Sequence, residues 1–116
     1  MENNIPTKKR LISLALLKFD ESKDGTGTNN FDLMADSIEN LKSHLKNDLI
    51  RQGKKKIITS VEERIEWYRT IERKSSSYVS TYNGRMLNPM IDIKVNKVLT
   101  ECREVLQKYA EEFGYL

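Results

Sequence analysis

The sequence predicts an all-α chain of about four helices, and three observations predict it. Two prolines and five glycines in 116 residues leave few places to interrupt a helix. Apolar residues recur at spacings of three and four along most of the chain. No strand-like alternation of useful length occurs, and the one β-favouring patch, Lys56-Ile57-Ile58-Thr59, is too short to stand alone. The expected architecture is a helical bundle or an extended helical hairpin that oligomerises. Apolar content of 38% against 32% charged is polar for a globular domain but short of the disordered regime.

The first helix is expected from about Pro6 or Thr7 to Phe19, with proline suited to the first turn. Leu11, Ile12, Ala15, Leu16 and Phe19 share a face, and Leu14 and Leu17 widen the stripe beyond what one buried side needs. Leu11, Leu14 and Leu17 are therefore candidate intersubunit residues. The polar, glycine-containing stretch from Asp20 to Asn30 reads as a flexible loop, so residues 1–30 form an N-terminal helix and linker. Residues 31–116 form the helical core.

Within that core, a second helix is expected over about Phe31–Gln52. Met34, Ile38, Leu41, Leu45 and Leu49 make a narrow seam, and Gly53 serves as its C-terminal cap. Ser60 with Glu63 reads as a capping box opening a third helix that runs to about residue 82. Its stretch Arg73-Lys74-Ser75-Ser76-Ser77 holds weak helix formers where a kink or break is expected. Trp67 and Tyr68 are candidate interface anchors. After the Asn83-Gly84 turn, Asn88 can cap a final helix spanning 89–113, with Pro89 first and Gly114 at its end.

Chemistry-bearing residues are sparse. His44 is the only histidine and Cys102 the only cysteine, so a one-chain His/Cys metal site and an intrachain disulfide are both excluded. Acidic groups such as Glu62-Glu63-Glu66 have the spacing of solvent faces. No catalytic residue, metal or cofactor is expected. No apolar run approaches the roughly 18 residues of a membrane span, and no signal-peptide cleavage site follows the apolar stretch 11–17. A soluble, intracellular protein with no membrane partner is expected.

The net charge of +3 comes from the first half: residues 1–58 carry eleven Lys/Arg and eight Asp/Glu, and residues 59–116 carry nine of each. The excess gathers in Lys8-Lys9-Arg10 and in Arg51 with Lys54-Lys55-Lys56. Clusters of this kind suit phosphate contacts, and these seven residues are the candidate DNA-binding set.

Tyr82-Asn83-Gly84-Arg85-Met86-Leu87-Asn88-Pro89, leading into Ile91-Asp92-Ile93-Lys94 and ending Tyr109-Ala110-Glu111-Glu112-Phe113-Gly114-Tyr115-Leu116, resembles the C-terminal part of P27-type phage terminase small subunits. Trp67 and Tyr68 match an aromatic position of that family, Asn88-Pro89 its X-Pro step, and Glu112-Phe113-Gly114-Tyr115 its terminal pattern. The similarity covers roughly residues 38–116 and leaves the N-terminal helix outside it. It implies a non-catalytic viral DNA-packaging component in the host cytoplasm, acting as a homo-oligomeric ring. Such a component binds double-stranded DNA and hands it to an ATP-driven terminase large subunit. Two other functions fit the same helices. One is a small viral or regulatory protein that binds a partner protein; the other is a DNA-binding transcriptional regulator.

Overall fold

Helix formation follows the apolar period, and burial follows the number of neighbours each helix acquires. A computed structural model describes residues 4–23, 30–79 and 89–116, with side chains at 7–23, 30–71 and 91–116. It contains four helices and no strand among these residues: α1 (Asn4–Ser22), α2 (Phe31–Arg51), α3 (Lys55–Val79) and α4 (Pro89–Glu112). The class is all-α, as the sequence predicts.

Packing centres on α2, which touches each of the other three helices, whereas among the described residues α1 and α3 do not touch each other. Lys8 of α1 meets Asp48 of α2, so α1 and α2 are antiparallel. Lys42 reaches Glu62 at 2.9 Å and Arg69 reaches Asp36 at 2.8 Å, so α2 and α3 are antiparallel as well. Asp20 pairs with Arg103, and Tyr115 reaches Asp48, so α4 runs parallel to α2. The cross-section is a flattened diamond, with α2 and α4 on the short diagonal and α1 and α3 on the flanks. Along α2, Met34, Ala35, Ile38, Leu41, Leu45 and Leu49 are all buried, and each of the larger side chains among them contributes about 1.5–3 kcal/mol. Ile12, Ala15, Leu16 and Phe19 of α1 enter the same core, as do Ile58, Val61 and Ile65 of α3 and Val95, Leu99, Cys102, Leu106 and Ala110 of α4.

Both helices of the short diagonal end in the same device. Gly53 has φ +72 and Gly114 has φ +84, left-handed values that cost a glycine nothing. Lys54 N–H donates to Leu49 C=O and Gly53 N–H to Ile50 C=O. Tyr115 N–H donates to Ala110 C=O and Gly114 N–H to Glu111 C=O. These are the paired bonds of a Schellman turn, and both glycine caps stand where the sequence places them. Asn30 caps the start of α2, accepting from Leu33 N–H at 3.0 Å, and its own N–H donates to Ser22 C=O.

Three expectations are corrected. Helix α1 continues to Ser22, into the stretch read as loop. Helix α3 starts at Lys55 rather than Ser60, so Ser60 and Glu63 lie inside the helix and form no N-terminal cap. The Gly53 turn reverses the chain within three residues, and Ile58 then gains a buried position by being helical. Residues 73–77 are helical without a break. The remainder of the loop (24–29), the end of α3 near residue 82, the Asn83-Gly84 turn and the Asn88 cap lie outside the described residues. Pro89 is the first residue of α4.

Candidate nucleic-acid interface

Antiparallel pairing of α1 and α2 brings the start of one helix to the end of the other. The two basic clusters, more than forty positions apart in sequence, therefore meet at one end of the bundle. Their meeting point is Asp48. Its side chain is only 9% exposed, and it accepts from three groups. Lys8 Nζ approaches Oδ2 at 3.0 Å, Tyr115 Oη donates to Oδ2 at 2.7 Å, and the Arg51 guanidinium pairs with Oδ1. The Lys8 ammonium also lies over the Tyr115 ring, 5.2 Å from its centroid.

This cluster is satisfied as a unit. Burial pushes the Asp48 pKa up, but the hydrogen bonds from Tyr115 and Lys8 and the charges of Lys8 and Arg51 outweigh it. The carboxyl is held below its usual range. Burial raises the Tyr115 phenol, and its bond to the Asp48 carboxylate adds to the shift. Partial burial lowers His44, reinforced by the nearby Lys8 charge. His44 lines an open groove between α1 and α2 with Thr7, Lys8, Leu11, Ser43 and Asn47.

The seven basic candidates thus separate into two roles. Lys8 is half-buried and engaged with Asp48 and Tyr115. Arg51 pairs with Asp48 while its side chain stays 70% exposed, so it can do both. Lys9, Arg10, Lys54, Lys55 and Lys56 are exposed around them. Sequence reasoning missed Asp48 and Tyr115, which fix this end. A signal existed: Asp48 lies in the α2 seam between Leu45 and Leu49, where an unpaired acid would be costly, and Tyr115 follows a glycine cap, where an inward contact is usual.

The interface candidates also divide. Leu11, Leu14 and Leu17 are exposed at 39%, 44% and 52%. Tyr68 is buried instead, donating to Asp32 Oδ1 at 2.7 Å and meeting Phe31 edge-on, so it anchors α3 to α2 within the chain. Trp67 is half-buried against the core, and Lys94 of α4 lies 5.5 Å from its ring centroid. Cys102 is buried; desolvation raises its thiol pKa against the opposing influence of Arg64. Among the described residues no group of three His, Cys, Asp or Glu side chains could hold a metal ion, and no helix is long and apolar enough to cross a membrane. Comparison with protein-family models, curated proteins and solved structures gives no match to this chain.

Proposed function

We propose that the chain is a non-catalytic DNA-binding subunit that works as a homo-oligomer, in the packaging role implied by its likeness to P27-type terminase small subunits. In that role it engages viral double-stranded DNA in the host cytoplasm and hands it to a large subunit carrying the motor. The observation that carries the reading is the convergence of Lys9, Arg10, Arg51 and Lys54–Lys56 at one end of the bundle. Backbone recognition needs clustered, solvent-accessible cations rather than a shaped pocket, and copies of one modest patch in an oligomer act together on one polyanion. Lys8 contributes mainly by holding the two clusters in place through Asp48. The exposed leucines of α1 suit a subunit that buries surface against other chains, and they are also what a partner-binding protein would present.

The test is duplex-DNA binding followed by fluorescence anisotropy at several salt concentrations. Replacing Lys54, Lys55 and Lys56 together by Ala is expected to weaken binding to all sequences alike. It should also flatten the log affinity against log salt slope by up to about 3 per chain. Unchanged affinity and slope would remove the DNA-binding reading and leave the partner-binding one.

A further inference from the structure

Arg10, Leu14, Leu17 and Glu21 follow one another on α1 at spacings of four, three and four. At about 100° per residue they occupy one narrow strip, facing away from Ile12, Ala15, Leu16 and Phe19. All four are exposed. Neither Arg10 nor Glu21 makes an ion pair or hydrogen bond with another described residue. The strip is thus two leucines between a free cation and a free anion. Its order has a property that a random exposed strip lacks: inverted end to end, it becomes its own complement.

We propose that this strip is a two-fold dimerisation surface, occupied by α1 of a second copy of the same chain lying antiparallel to it. In that register Leu14 faces Leu17 of the second copy and Leu17 faces Leu14 of the second copy. Arg10 meets Glu21 of the second copy at one end, and Glu21 meets Arg10 of the second copy at the other. A parallel arrangement would set Arg10 against Arg10 and Glu21 against Glu21, so charge selects the antiparallel one. An anionic lipid surface would select an excess of cations, whereas the strip carries one charge of each sign. The contact is isologous, so it closes at two copies. A larger ring would then be built from dimers through a different surface. The inference rests on α1 alone and is independent of DNA binding.

Charge reversal in the full chain tests it, with sedimentation equilibrium as the readout and circular dichroism confirming that each variant folds. The wild type is expected to form a concentration-dependent dimer. Arg10→Glu alone and Glu21→Arg alone each convert two attractive pairs per dimer into repulsive ones, and each is expected to weaken association about tenfold. The double variant Arg10→Glu/Glu21→Arg restores complementarity and should return to within about threefold of wild type. The Lys54–Lys56 alanine variant should dimerise as the wild type does. A wild type monomeric across the concentration range would overturn the proposal. So would single variants that associate normally, or a double variant as weak as the singles.

Discussion

Helices α1 and α2 have similar lengths and both carry long apolar runs, yet they end in opposite circumstances. Every member of the α2 seam is buried, because α2 has neighbours on three sides. Helix α1 concentrates its leucines in residues 11–17, but Leu11, Leu14 and Leu17 face outward, because α1 lies on a flank and packs mainly against α2. Apolarity recruits a helix to the core; position in the bundle decides how much of its surface is covered. The surplus on α1 is therefore left exposed, while the α2 seam is consumed within this chain.

The largest expected effect breaks the α2 side of that contrast. Leu45 is fully buried, so Leu45→Ala is expected to lower the unfolding free energy by about 2–5 kcal/mol in urea titration. Leu17→Ala, made at dilute concentration where association is negligible, should change it by no more than about 0.5 kcal/mol. Comparable losses at the two sites would contradict the assignment of α1 to a flank.

A smaller effect sharpens the junction between the two helices. Asp48→Ala leaves Lys8, Tyr115 and Arg51 without their acceptor and is expected to cost about 1–3 kcal/mol at neutral pH. Its carboxyl pKa is depressed on folding, so the stabilisation is present above the ordinary value near 3.8 and is lost as pH falls through the lower folded value. Urea titrations at descending pH should show wild type and Asp48→Asn converging in acid. A gap that widens on acidification would reverse the assigned direction.

The next effect concerns the turns. Gly53→Ala and Gly114→Ala each place a side chain at positive φ with no atom near enough to clash, so only backbone strain changes. Each is expected to cost about 1–2 kcal/mol in thermal unfolding. A neutral result at either glycine would mean that its turn relaxes to another conformation.

The helical class and most core positions were legible because a 3.6-residue period needs no knowledge of partners. The Schellman glycines were legible for the same reason, since their bonds are local. The start of α3 was misread because Ser60-x-x-Glu63 satisfies a short, common pattern, whereas the true start depends on Ile58 finding the core. The basic residues were visible as composition, but their convergence was not. It follows from the α1–α2 pairing and from a buried acid whose three partners come from α1, α2 and the residue after Gly114. Tyr68 was misplaced because a buried aromatic and an interface aromatic share the same helical spacing.

The diamond cross-section has a consequence for how the molecule opens. Removing α2 breaks contacts with three helices, whereas peeling off α3 breaks only its lighter contacts with α2 and α4, since α1–α2 is the most extensive pairing in the bundle. Amides of α3 should therefore exchange with solvent through a partial opening that leaves those of α2 protected, a sub-global event of lower free energy than unfolding. That opening would part Lys42 from Glu62 and Arg69 from Asp36, and carry Lys55 and Lys56 away from residues 8–10. The most lightly held flank of the bundle carries part of its positive surface.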